Sequence, residues 1–366
     1  MKSRVAQPQN TENASHEQTT GNAVLDAKKQ APEKSRVLDM HCHVAGIGAG
    51  DSGAFLSGKI RNSWKFRVYL RAFGVTQKEI EQKGDALVIK RISEQLTRAK
   101  HVGSALLLAL DGVIDQAGKL DSRQTEVFIP NLFLATEVAK YDNLYFGASV
   151  NPYRHDALHR LEQAKSYGAL LLKWLPAIQH IEPSEKKLIP FYEKLVELDL
   201  PLLSHAGDEH AFTSANNRLG DPQKLLLPLQ VGVTVIVAHA ATTGKSQGED
   251  NMQRLLPMFT RYPNLYTDIS SLTQINKLRF LPRLLAAGID PTRLLFGTDF
   301  PLIATAISSP LFSLFLLPAK TILQLLKIKN PWDQDLQLKL ALGVPAAVLS
   351  NAHDFLVKKS SHKKAY

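Results

Sequence analysis

The chain has 366 residues, 44% apolar and 21% charged, with a formal net charge of +10. This is enough apolar sequence for a large core and excludes a wholly disordered chain. The 21 Gly and 19 Pro follow no strict period, which excludes a collagen-like repeat, and a single Cys excludes an internal disulfide framework and fits a reducing, cytoplasmic setting.

The charge is unevenly placed. Residues 1–36 carry +2, residues 357–366 carry +4 from Lys358, Lys359, Lys363 and Lys364, and the central 320 residues carry the remaining +4. Residues 1–36 begin with a stretch rich in Gln, Asn, Thr and Ser that lacks the apolar segment of a secretory leader, and they are expected to be disordered. The basic tail, 357–366, reads as a solvated end. No aromatic platform accompanies it, so nucleic acid is not an expected partner.

From Val37 onward a short apolar run repeatedly ends in a turn and is followed by a helix-type segment. The runs cover residues 36–43, 104–112, 144–152, 169–176, 201–207, 233–240, 265–270 and 293–301. They are continuously apolar rather than alternating, as for strands buried on both faces. Between the first two lies an insertion, 44–103, expected to hold a Gly-rich loop and one long helix from about Thr76 to Lys100 that lids the site. Asp156 is placed to cap a helix at 157–167. Pro183 and Ser184 open another, with Leu188, Phe191, Leu195 and Leu198 on one face. A further helix spans 272–287, with Gly288 at its C′ position. Pro130, Pro190, Pro257 and Pro282 are expected to kink or end their helices. Residues beyond 303 form a C-terminal helical extension. Its apolar stretch, Pro310–Ile328, is broken by Pro318 and Lys320 and cannot supply the roughly 20 apolar residues of a membrane span. A buried or partner-facing helix pair is expected there, and a homo-oligomer is compatible with it.

Eight strands alternating with helices predict an α/β fold, a (β/α)8 TIM barrel, as one domain over residues 37–356. In such a barrel the active site lies at the C-terminal ends of the strands. Strand 1 ends in His41 and His43, strand 4 in Lys173, strand 5 in His205, strand 6 in His239 and strand 8 in Asp299. Each alone is weak, since a lone strand-end His is usually structural. Their equivalent placement in five of eight units is what points to one site. Strand alternation puts His41 and His43 on one face, able to hold one divalent ion, and Cys42 on the other, in the core. Gly297 permits close backbone packing before Asp299, and Pro301 ends the strand.

The motifs D-M-His41-C-His43, LLLKWLP with Lys173, LLSHAG with His205, VIVAHA with His239 and FGTDFP with Asp299 resemble the amidohydrolase superfamily. The resemblance is closest to its metal-dependent hydrolase branch that includes the aminocarboxymuconate-semialdehyde decarboxylase group, and it runs from about Val37 to Leu302. It implies that His41, His43, His205 and Asp299 hold a divalent metal, Zn2+ with Mn2+ or Fe2+ as alternatives. It implies that His239 orients or polarises water and substrate, and that Asp299 shuttles a proton. Lys173 could be carbamylated and bridge two metals as in binuclear members, but Gly168 and Pro176 frame it as in the branch where such a Lys has no bridging role. One ion is therefore favoured over two. The implied reaction is attack of a metal-bound hydroxide on the carbonyl of a small molecule. Alternatives are non-oxidative decarboxylation of a small carboxylic acid at the same site and a barrel that binds without catalysis. Asp268 or Asp111 would pair a charged Lys173. Arg154, Trp174 and Asn151 are the candidate substrate contacts, Arg154 for an anionic group because its fork fits carboxylates. Asp208, His210 and Tyr153 also lie in strand-end loops. The phosphate-loop-like stretch 53–60 lacks its Ser/Thr and a preceding strand, and no G-x-S-x-G elbow is present.

Overall fold

The computed structural model describes residues 32–209, 212 and 214–358. Of the segment expected to be disordered, residues 1–36, positions 1–31 lie outside the described residues, as do His210 and residues 359–366 of the basic tail; Lys34–Arg36 is instead an ordered 3-10 turn, with Lys34 donating to Ala99 O and Arg36 paired with Asp354.

Eight parallel strands form the centre: β1 (Leu38–His43), β2 (Ser104–Leu108), β3 (Leu144–Gly147), β4 (Leu172–Trp174), β5 (Leu202–His205), β6 (Val235–Ala238), β7 (Leu265–Asp268) and β8 (Leu294–Leu295). They pair as two sheets, β1-β2-β3 and β8-β7-β6-β5-β4. Two seams join the sheets into a ring. Ala148 bridges Leu172, with the Lys173 amide donating to Ala148 O at 2.6 Å. Cys42 bridges Phe300, with the His43 amide donating to Phe300 O at 2.8 Å and the Asp299 amide to His41 O at 2.9 Å. A closed ring leaves no sheet edge unpaired.

The apolar residues divide into two shells, as strand alternation requires. Leu38, Met40, Leu106, Leu108, Leu171, Leu203, Ile236, Ala238 and Leu295 fill the barrel, and Ala352 and Leu356 from the C-terminus join them. Those two residues come from the helix Val348–His353 and the turn after it, which close the N-terminal end of the barrel beside the Arg36–Asp354 ion pair. A larger shell, including Val37, Cys42, Leu107, Trp174, Val237 and Phe296, seals strands to helices. Cys42 is fully buried there, and burial raises its thiol well above the ordinary value.

Three helix expectations are corrected. The 76–100 segment is two helices, Gln77–Lys83 and Ala86–Thr97. Gly84 turns between them at φ +83°, and the Asp85 carboxylate accepts from the amides of Ile47 and Gly48, which ties the break to the Gly-rich loop. The expected helix over 272–287 is confined to Phe280–Ala286, because residues 271–279 are a turn built around Ser271. The prolines sit at helix starts rather than at kinks, and only Pro257 marks an early end, between Asn251–Leu255 and Met258–Arg261. Pro130 and Pro257 are N-caps, and Pro190 and Pro282 sit in first turns, where a missing N–H costs no helical bond. The 53–60 stretch is no phosphate loop: Phe55–Leu56 pairs antiparallel with Val127–Phe128, and Ser57 caps the next helix. In the extension, Pro310–Ser313 is a 3-10 turn and Ala319–Leu326 a helix; Leu311, Leu314, Phe315, Leu316 and Leu323 are exposed. No helix among the described residues is long and apolar enough to cross a membrane.

Candidate metal centre

β1 carries two imidazoles to the mouth of the barrel by breaking its own alternation. Leu38 and Met40 already point inward, so strict alternation would send His41 and His43 outward. A register shift between Asp39 and Cys42 re-aims them inward and leaves Cys42 in the outer shell. The bulge is held from outside. Asp39 accepts from the His41 amide at 3.1 Å, the Thr298 amide at 2.9 Å, Thr298 Oγ1 at 2.5 Å and Trp332 Nε1 at 2.9 Å. Burial pushes the Asp39 carboxyl up to about 6, and these four bonds act against that rise.

Across the mouth, Asp299 sits at φ +65°, a conformation rare for a residue with a Cβ. Its amide bond to His41 O fixes this turn, and Gly297 allows it: a Cβ there would lie 3.0 Å from His41 Cβ and 3.2 Å from Ser270 Cβ. His43 Nε2 lies 3.2 Å from Asp299 Oδ1, His41 Nε2 3.9 Å from the same oxygen, and His239 Nε2 3.9 Å from Oδ2. Ligand atoms of His41, His43 and Asp299 all fall within 4.8 Å of one another. His239, Ala240 and Ala241 follow β6 at φ of 55°, 51° and 50°, a left-handed turn that directs His239 back over the barrel. Its ring stacks on His41 at 4.8 Å and meets His205 edge-on at 5.5 Å.

Asp268, at the end of β7, sets the tautomers. It accepts from His41 Nδ1 at 2.8 Å and from the His239 amide at 2.9 Å. His239 Nδ1 donates to Ser270 Oγ at 2.7 Å, and that hydroxyl donates on to Asp268. Both rings thus turn unprotonated Nε2 atoms toward Asp299. A second grouping, His41, His239 and Asp268, is this supporting network rather than an ion cage. Burial lowers the proton affinity of His41 to about 4 and of His205 to about 3, and of His239 well below its usual value. Burial alone would raise Asp299, but His239, His43 and His41 hold it well below the ordinary carboxylate range. These shifts favour neutral His41, His205 and His239 and an ionised Asp299, the forms that bind a cation.

His205 is not drawn into the tightest group. Its Nε2 is buried without a hydrogen-bond partner and lies 3.8 Å from Glu209 Oε2. A buried orphan lone pair at the edge of a cluster of cation ligands is what a divalent ion would satisfy. The residues present fit such an ion.

Two lysines complete the mouth. Lys173 Nζ is buried and donates to His41 Nε2 at 3.1 Å. Neither suggested partner forms an ion pair with it; burial lowers its ammonium to about 8, with Asp268 and Asp299 acting against that. Lys277 was not singled out from sequence. It is 8% exposed and donates to Ser271 Oγ at 2.9 Å, while Ser271 Oγ donates to Asp299 Oδ2 at 2.9 Å. Among the described residues it makes no ion pair, and burial lowers its ammonium. Asp268, Asp299 and Glu209 thus face Lys173 and Lys277, one net negative charge, which a divalent ion converts to one net positive charge. Tyr69 reaches the same place from the insertion helix Trp64–Phe73; burial, Asp299 and Glu209 all raise its hydroxyl.

The expected substrate contacts already have partners within the protein. Arg154 is committed to Asp111, with Nε and Nη2 each donating at 2.6 Å, and this pair consumes the fork that an anion would need. Trp174 follows Lys173 on β4 and so points outward, stacked on Phe191 and donating to Val150 O. Asn151 is fully buried and donates to Gly112 O and Gln179 O, stitching loops together. Tyr153 donates to Glu185.

A family model described as amidohydrolase matches residues 38–349. No curated protein matches the chain by sequence. Among solved structures, an uncharacterized TIM-barrel protein from Bordetella bronchiseptica is 16% identical with a TM-score of 0.50, covering 83% of this chain and 99% of that one. A probable 2-pyrone-4,6-dicarboxylic acid hydrolase from Acinetobacter baumannii is 13% identical, also at 0.50, covering 90% and 100%. The 5-carboxyvanillate decarboxylase LigW from Sphingomonas paucimobilis is 11% identical at 0.47, covering 90% and 98%.

Proposed function

Since the chain belongs to the amidohydrolase family, we propose that it is a metal-dependent hydrolase of a small, anionic carbonyl compound. The observation that carries this reading is the convergence of His41, His43 and Asp299 within 4.8 Å, beside the orphaned Nε2 of His205. In it, His41, His43, His205 and Asp299 hold the ion. A divalent ion, when bound, supplies Lewis acidity that polarises a carbonyl and brings the pKa of water toward about 7.

The chain's own groups do the rest. Asp299 accepts the proton lost by water at its carboxylate and returns it to the leaving group. Its bond from Ser271 and its fixed backbone keep the accepting oxygens in place. His239, aligned through Ser270 and Asp268, turns its Nε2 to the reacting centre and orients water and substrate. Asp268 keeps His41 in the tautomer that offers Nε2. Tyr69 and the insertion cover the mouth and limit solvent. In the one-ion reading Lys173 stays an ammonium and gives up its bond to His41 Nε2, whose single lone pair the ion takes; its carbamylation belongs to the two-ion reading.

Two experiments test this. Elemental analysis of the purified protein is expected to give about one equivalent of a divalent metal, Zn2+ first, and chelation to abolish turnover of a panel of esters, lactones and amides bearing carboxylates. Two equivalents would promote Lys173 to a bridge. Release of CO2 without water addition would replace hydrolysis by decarboxylation, and turnover that survives complete metal removal would end both readings.

The anionic substrate rests on Lys277, a buried ammonium with spare donors in a site that becomes net positive once loaded. Lys277→Gln is expected to raise KM for charged panel members roughly tenfold, the scale of one hydrogen bond to a charged group. Lys277→Arg should keep most of the affinity, and the KM of neutral analogues should not move. Equal effects on charged and neutral compounds would remove Lys277 from substrate binding.

A further inference from the structure

Between the end of the insertion and the C-terminal helices lies an open cleft of about 950 Å3. Its wall is made by the end of the helix Ala86–Thr97 and the link to β2, and by the helices Ala319–Leu326 and Pro331–Ala341. Arg98, Lys100, Lys320, Lys327 and Lys329 line it. Asp333 is its one acidic residue, and that carboxylate is 3% exposed and accepts from the amides of Lys100 and His101 at 2.7 and 2.8 Å. The side chains of the five cations make no hydrogen bond or ion pair among the described residues, and nearby Glu94 is bound to Arg91.

The net charge of these lining residues is +4, which equals the net charge of the whole central region, residues 37–356. The rest of the central region sums to no net charge, so its excess of positive charge lies along one concave place. Unpaired like charges around a cavity repel, and a multivalent anion relieves that repulsion. Lysine ammoniums suit phosphates as point charges. The volume matches a small ligand, and among the lining residues no Phe, Tyr or Trp offers a platform for bases to stack on, His101 being the one ring there.

We propose that this cavity binds a small molecule carrying a chain of phosphates, at a site separate from the catalytic mouth. The ligand could be an inorganic polyphosphate or a nucleoside polyphosphate, which share this chemistry. Titration calorimetry of the full-length, metal-loaded protein with tripolyphosphate and with ATP distinguishes them: equal affinities mean that the phosphate chain alone is read, and tighter ATP means that the nucleoside is read too. Lys327→Glu with Lys329→Glu is expected to weaken binding at least tenfold. Lys78→Glu with Lys83→Glu, on exposed positions of another helix, changes net charge equally and should leave binding unchanged. Equal loss in both pairs would show bulk electrostatics and overturn the proposal. So would tighter binding of oligothymidylate than of tripolyphosphate, or absence of binding to either phosphate at about millimolar concentration.

Discussion

Asp299→Ala is expected to yield a folded protein with no retained metal and no detectable turnover. This carboxylate is both a member of the ion-holding group and the proton acceptor of the proposed reaction, so one substitution removes two functions. Losing general acid–base catalysis alone typically costs about 10²–10⁴ in rate, and losing the ion adds to that. Asp299→Asn separates the two. The amide keeps a single oxygen, which can stay near His43 only by giving up the bond that Ser271 makes to the other carboxylate oxygen, so weakened but residual metal binding is expected, and the amide cannot take a proton at neutral pH. Metal content by elemental analysis, read beside turnover, would show metal retained with rate lost in Asp299→Asn, and both lost in Asp299→Ala. Full activity in a verified metal-free Asp299→Ala protein would overturn the proposed mechanism.

The second large effect is on stability. Trp332→Ala is expected to lower unfolding free energy by about 3–5 kcal/mol, the usual cost of emptying a large aromatic site. Trp332 is fully buried and stacks on Phe300 with centroids 4.2 Å apart. Its Nε1 is also one of the donors to buried Asp39. Trp332→Phe preserves much of the stack and removes only the donor, so a smaller loss of roughly 1–3 kcal/mol is expected. Urea unfolding monitored by far-UV circular dichroism reads both as shifts in midpoint at constant slope. Because Asp39 fixes the His41 amide and Thr298, both variants should also bind metal more weakly. If Trp332→Phe matched wild type in stability and metal affinity, the role given to the Trp332–Asp39 bond would be withdrawn.

The strand positions and the strand-end residues were legible because their signals are local. Continuous apolar runs of four to eight residues, ended by turns, mark buried parallel strands whatever surrounds them. His41, His43, Lys173, His205, His239 and Asp299 could be read as facing one mouth because barrel topology puts every strand's C-terminal end on the same side. Local pattern did not reveal the turn at 271–279. Its residues, LTQINKL, look helical, and Lys277 resembles an exposed helix lysine until Ser271 at φ +66° turns the chain inward.

The sequence by itself therefore determined the order of strands, their burial on both faces and the candidate set of metal-binding side chains. These follow from polarity and period, which each segment carries alone. Tertiary structure decided the aim and pairing of those side chains. The bulge in β1 re-aims His41 and His43, Asp268 sets the tautomers of His41 and His239, Asp111 takes two donors of Arg154, and Ser271 holds Lys277 near Asp299. Each of these depends on contacts between residues far apart along the chain. Hydrogen bonds and charge interactions act over a few ångströms of space, and no local pattern records which distant partner will be there.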